Sequence, residues 1–176
     1  NPSFESKVTN IALGRPAAQQ GTANGGIADR AVDGNTVGIY NWGSTTRTEY
    51  QEDPWWLVEL EHNATIDKVY FWTCIDGSLE KPKDVRVEVL DSLYGDVVSE
   101  KFIEGQAKVM NVVDFEGVVG QVVRITRETP INSKKYLSLA DVQIEGTLGA
   151  AIEDELFAEV DADEYSSMKG IYMASG

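Results

Sequence analysis

The sequence predicts an all-β protein, a sandwich or jelly roll of short strands. Three observations carry that prediction. Alternating or β-branched runs recur along the first 148 residues, turn signals separate them, and no helical repeat intervenes. Each such run buries one face, and two layers of them close one core.

The first fifty residues are rich in Gly, Asn, Ala and Thr and hold few long apolar runs. They predict long ordered loops, which at that length usually carry a function or a structural ion. Trp56-Leu57-Val58-Glu59-Leu60 then alternates, with Trp56, Val58 and Leu60 on one face. Glu61-His62-Asn63-Ala64 reads as a turn with His62 at the surface, and Asn63-Ala64-Thr65 fits a glycosylation sequon. Val69–Trp72, Val109–Val113 and Val122–Ile125 are further runs of branched and aromatic residues. Asp84–Val89 turns three valines inward and three charges outward, and Leu137–Ile144 reads as the last strand. Asp33-Gly34-Asn35, Asp76-Gly77, Tyr94-Gly95-Asp96 and Glu104-Gly105 mark turns. Trp56 is expected in the core, and Cys74 as a small buried hydrophobe.

The acidic charge divides the chain. Residues 149–176 hold seven acids against Lys169 alone, and so carry −6 of a net charge of −14. Gly146 and Gly149 punctuate the junction, so residues 1–148 are read as the β domain and 149–176 as an acidic tail. In the tail Ile152, Leu156 and Val160 recur every fourth residue with Phe157 beside them, a helical stripe with acids on its other side. It either folds back on its own sandwich or docks on a protein partner through residues 150–176.

Composition excludes several function classes. Fifteen basic residues among 176, outnumbered by 29 acids, do not make a nucleic-acid surface. No apolar run approaches the ~20 residues of a transmembrane helix. One Cys leaves no intrachain disulfide and no cysteine zinc site, a single His and a single Cys count against a Ser-His-Asp or Cys-His set, and no phosphate loop follows a strand. The expectation is a binding protein and not an enzyme. A start at Asn1 fits a processed mature chain.

Three segments carry more. Asn10–Gln19, Arg30-Ala31-Val32-Asp33-Gly34-Asn35 and Asp53-Pro54-Trp55-Trp56-Leu57-Val58-Glu59-Leu60 stand in an order and spacing that resembles the fucolectin (F-type lectin) family, a branch of the discoidin-like, coagulation-factor C-domain fold. The resemblance runs from about Asn10 to about Gly146. It implies an eight-stranded, galactose-binding-like jelly roll that binds sugar in a pocket of loops at one end, and a secreted or organelle-lumen protein.

It also implies a Ca2+ ion. Asp33 and Asn35 offer a carboxylate and an amide oxygen across a Gly turn, and a hard cation takes six to eight such oxygens. The positions matching the family's ligands are the carbonyl of Arg30, the side chains of Asp33 and Asn35, Ser44, and Ala140-Asp141, where the family has Cys-Glu. On local sequence alone, Asp33 and Asn35 would equally form an Asx turn.

The family holds fucose with a His, an Arg 27 positions later, an Asp two further on, and Arg or Lys five beyond that. Here the spacing is intact at Arg47, Cys74, Asp76 and Lys81, with Asp76 and Lys81 matching in kind. Arg47 replaces His with a longer, permanently charged donor, and Cys74 replaces an Arg by a weakly polar thiol. One lost charged hydrogen bond is worth ~1.5–3 kcal/mol, roughly tenfold to a hundredfold in affinity, which counts against fucose binding in the family's manner. Tyr40, Trp42 and Tyr50 lie near this rim; Trp42 either stacks on a sugar or plugs the loop core.

Two functions follow. One is a calcium-stabilised carbohydrate-binding module working at its loop end. The other is a structural or accessory subunit of a larger assembly, its sugar site decayed, docking through the tail. A domain cut from beside a catalytic one is a third, minor reading.

Overall fold

A computed structural model describes residues 9–77 and 80–152. Six strands are described there: β1 (Ala17–Gln19), β2 (Trp55–Thr73), β3 (Lys83–Leu90), β4 (Val97–Gln106), β5 (Met110–Arg127) and β6 (Leu139–Ala151). They form one antiparallel sheet in the order β1-β2-β5-β3-β4, with β6 also paired to β2.

Among the described residues the strands number six and not the implied eight: two pairs of sequence runs are continuous, and β1 and β4, which no run marked, complete the set. Trp56–Leu60 and Val69–Trp72 both belong to β2, and Val109–Val113 and Val122–Ile125 merge in β5 from Met110 on. The residues that read as turns between them are taken up by irregular pairing. The β2–β5 register shifts between Glu59 and Ala64 and again between Ile66 and Lys68. A bulge adds a residue to one strand and bends it. Glu61 (φ 61°) and, on β5, Glu116 (φ 57°) lie in the left-handed region at these points. His62 is therefore a strand residue, its Nδ1 at 2.9 Å from the Gly149 carbonyl.

The shift also changes which side chains face inward. Trp56, Val58, Leu60, Ala64 and Ile66 are buried on one side of it, Val69, Phe71 and Thr73 on the other, so the even positions hand over to the odd ones. The first half of β2 pairs with β1 and the second half of β5; its second half pairs with β6 and the first half of β5. Residues of both halves share one core, including Trp56, Val87 and Ile125 from one and Phe71, Val113 and Ile144 from the other. The bent strands thus close a sandwich on itself.

The long N-terminal loops pack into this core through Ile11, Ala12, Ala28, Ala31 and Val32, and Trp56 Nε1 donates to the Ala28 carbonyl at 3.0 Å. β4 had no sequence signature, since most of its residues are exposed and it lies at the sheet edge. Glu104-Gly105, a turn by sequence, lies inside it. β6 runs past the Gly149 junction to Ala151, so three residues assigned to the tail belong to the sheet. Ile152 is half-buried just beyond; Leu156, Phe157 and Val160, with the rest of the proposed tail from 153 on, lie outside the described residues.

Candidate functional site

The loop end is built on the start of β6. Thr46 N–H donates to the Leu139 carbonyl at 2.8 Å and Thr46 Oγ1 accepts from Leu139 N–H at 3.0 Å. Thr48 repeats this with Leu137 at 3.0 and 2.9 Å. Both threonines are fully buried, so the residue between them is turned the other way. That residue is Arg47. Its own backbone is pinned from the opposite side, N–H to the Gly26 carbonyl at 2.8 Å and carbonyl to the Ala23 N–H at 3.0 Å. Gly26 is required here by close approach: a Cβ on it would stand 2.5 Å from Arg47 N.

The Arg47 guanidinium lies 4.2 Å from the centroid of Tyr136 and 5.5 Å from that of Tyr40, an aromatic sandwich for a cation. Its Nε is buried without a hydrogen-bond partner among the described residues. Tyr40 links Arg47 to the second sequence-predicted residue, because its N–H donates to Asp76 Oδ2 at 2.7 Å. Cys74 Sγ–H donates to Asp76 Oδ1 at 3.0 Å. Cys74 is 2% exposed, and burial pushes its thiol pKa up, reinforced by the Asp76 contact. Gly38 allows this arrangement: its carbonyl accepts Ile75 N–H at 2.7 Å, and a Cβ would collide with the Thr73 carbonyl at 2.3 Å.

Arg47, Asp76 and Cys74 therefore gather around Tyr40. Lys81 is half-buried. Trp42, at the end of a 3-10 turn (Tyr40–Trp42), is 74% exposed, which removes the plug reading and leaves an open aromatic face on the rim.

The second cluster lies nearby. Asp141 on β6 is fully buried; it accepts from Gly34 N–H at 3.3 Å and from Gln143 Nε2 at 3.0 Å, and among the described residues it has no cationic partner. Its pKa is raised to about 6, chiefly by burial, with the Asp33 charge adding to it. Asp33 Oδ1 accepts Asn35 N–H at 2.9 Å and Asn35 Oδ1 accepts Val37 N–H at 3.0 Å, so the Asx turns do form. Ser44 Oγ donates to the Ile39 carbonyl at 2.8 Å and accepts Ile39 N–H at 3.1 Å. Arg30 lies in a 3-10 turn (Ala28–Val32) and its Nη1 donates to the Thr45 carbonyl at 3.1 Å. Ala140 is buried beside Asp141. Among the described residues no three His, Cys, Asp or Glu side chains converge on one point.

Sequence reasoning missed Tyr136, Arg127, Lys135, Ser138 and Glu80. Together with Arg47 and Tyr50 they line a cleft of about 170 Å3. Only Lys134-Lys135-Tyr136, basic residues next to an aromatic one, offered a local signal.

A bent antiparallel sandwich gathers polar and aromatic side chains on loops at one end, and its relatives assign it to the lectin-like, carbohydrate-binding modules. The comparisons place it more closely. The family described as NedA-like, galactose-binding domain, of the F5/F8 type C group, matches residues 30–125. The chain belongs to this galactose-binding-like family, as the fucolectin-type motifs imply. The lectin domain of lectinolysin, solved with the Lewis B antigen, shares 30% identity over 81% of this chain and 98% of its own, with a TM-score of 0.72. A fucose binding module from Streptococcus pneumoniae shares 27% identity over 81% and 98% of the two chains, at a TM-score of 0.74. A fucolectin from striped bass serum is similar in fold, at 24% identity over 82% and 49% and a TM-score of 0.70. No curated protein sequence matches the chain. The relatives are binding modules, in keeping with a non-enzymatic role, and no helix among the described residues is long and apolar enough to cross a membrane.

Proposed function

We propose that this chain is a calcium-stabilised lectin module that holds a saccharide at the loop end, against Arg47, Tyr40 and the open face of Trp42. The observation that carries this reading is Arg47 itself. Its backbone is clamped from both sides and its cationic head is held between two aromatic rings, a preformed donor at the position the motif assigns to sugar. Pre-organisation of this kind limits the ordering cost of binding.

The specificity differs from that of the motif. Asp76 is engaged by the Tyr40 N–H and the Cys74 thiol, and the guanidinium that Cys74 replaces is gone. Free fucose binds weakly for that reason, and the affinity comes from Arg47, Lys81 and stacking on Trp42. A glycan array probed with the calcium-loaded chain tests this. Binding to at least one saccharide class, lost in Arg47→Ala, is expected; no binding to any sugar would overturn it.

The residues present fit Ca2+. A buried carboxylate pressed by a second acid, with no cationic partner among the described residues, calls for a counter-charge, and the available donors are all hard oxygens. Asp33, Asn35, Ser44, Asp141 and the carbonyls of Arg30 and Ala140 would hold the ion, which supplies charge neutralisation and ties the loop to β6. Secretion, or residence in an organelle lumen where Ca2+ is plentiful, follows from the same reading.

The capped Asp76 favours one second reading, an accessory subunit with a decayed sugar site that docks through its acidic tail. Removing residues 153–176, just past the last sheet residues, should then release the chain from its assembly. Unchanged association would end that version.

A further inference from the structure

The cleft on the far side of Arg47 has a composition that the lectin reading does not use. In a chain of net charge −14, three cations line it, Arg47, Arg127 and Lys135. Arg127 is 4% exposed at its side chain; its Nη1 donates to the Tyr136 carbonyl at 3.0 Å. The other end of its guanidinium, Nη2, meets Glu80 Oε2 at 3.2 Å, and Lys135 Nζ lies 3.7 Å from the same oxygen. Glu80 is 57% exposed, so the one carboxylate among the described residues that answers these cations stands in solvent and can swing away. Two buried polar atoms of the lining, Arg47 Nε and Ser138 Oγ, have no hydrogen-bond partner among the described residues, and Ser138 is 4% exposed. Orphaned buried groups are rare enough to signal a missing partner. An aromatic pair completes the wall, Tyr50 and Tyr136 with centroids 5.1 Å apart, Tyr50 being half-exposed. The volume, about 170 Å3, is below the roughly 300 Å3 at which drug-sized pockets begin, so it admits one sugar residue and not a chain.

We infer that this cleft is a subsite for a carboxylate-bearing sugar residue, a uronic or sialic acid, of a larger saccharide. Glu80 shows that a planar carboxylate fits the Arg127–Lys135 pair, and an incoming sugar acid takes its place there. The ring then lies against Tyr50 and Tyr136, with Ser138 and Arg47 as further donors. The inference rests on the lectin reading, since Arg47 is common to both sites and fixes their adjacency.

Titration calorimetry at low salt with methyl glucuronide, N-acetylneuraminic acid and methyl glucoside tests it. The acids should bind about tenfold more tightly than the neutral glucoside, and the advantage should fall as salt is raised. Glu80→Gln, which removes the competing charge, should raise the ratio of acid to neutral affinity, and Lys135→Gln should lower it; both residues are exposed or half-exposed, so neither substitution threatens the core. Neutral saccharides bound without any preference for the acids, or a ratio unmoved by either variant, would overturn the subsite while leaving the lectin reading intact. Binding of no saccharide at all would overturn both. A preference for glucose 6-sulfate over glucuronide would assign the cleft to sulfate and overturn the carboxylate assignment.

Discussion

Arg47 is defined by what surrounds it more than by its own chemistry. Two buried threonines orient it, Gly26 admits its backbone, and two tyrosines hold its charge. Arg47→Ala should therefore cost tenfold to a hundredfold in saccharide affinity, the worth of about one charged hydrogen bond, with Tm little changed. Cys74, two residues from Asp76, is inert by burial. A thiol reagent at pH 8 should label it roughly a hundredfold faster in urea than in the native chain, because reactivity follows exposure and thiolate population. Asp141 gives a pH signature. Its folded pKa of about 6 lies above the ordinary aspartate value of 3.8, so the folded state binds more protons in that interval. Its penalty is absent below about pH 4 and complete above about pH 6, a loss of ~3 kcal/mol in calcium-free buffer as the pH rises. Urea unfolding across that range should show the wild type losing ground against Asp141→Asn; parallel curves would contradict the assignment.

At the scale of elements, the short runs were legible because alternation of branched and aromatic residues survives in the sequence, as in Trp56–Leu60 and Asp84–Val89. Their continuity was not. A bulge such as that between Ile66 and Lys68 changes the inward parity, and a residue like Glu61 with positive φ looks from its neighbours like the end of a strand. β4 was invisible for a different reason, as an edge strand that buries little has no apolar face to betray it. The site loops were legible only through spacing. The Arg47-to-Cys74 interval gave the residues, yet Tyr136 and Arg127 arrive from other strands and loops, and only folding brings them to Arg47. The loop that carries Arg47 depends on Gly26. Gly26→Ala places a methyl 2.5 Å from a backbone nitrogen, which cannot rotate away, so about 1–3 kcal/mol of stability should be lost, together with saccharide affinity. Urea unfolding and calorimetry on the same variant check both.

At the scale of the whole molecule, the acidity resolves into separate parts. The tail carries −6, the charge of Asp33 bears on the buried Asp141 at the proposed ion site, and the cleft gathers cations against the net charge. Calcium at a hundredfold over its Kd should add ~2.7 kcal/mol, a rise in Tm of roughly 5–10 °C for a domain of this size. Magnesium, which demands a tighter octahedral shell, should do less, and Asp141→Asn should abolish the rise. The central claim is that saccharide is held at the loop end around Arg47. Amide chemical-shift mapping of the calcium-loaded chain, titrated with its strongest glycan-array ligand, tests it most directly. The account predicts shifts clustered at Tyr40–Thr48, Cys74–Gly77 and Tyr136–Ser138; shifts confined to the β3–β4 edge, or none at saturation, would contradict it.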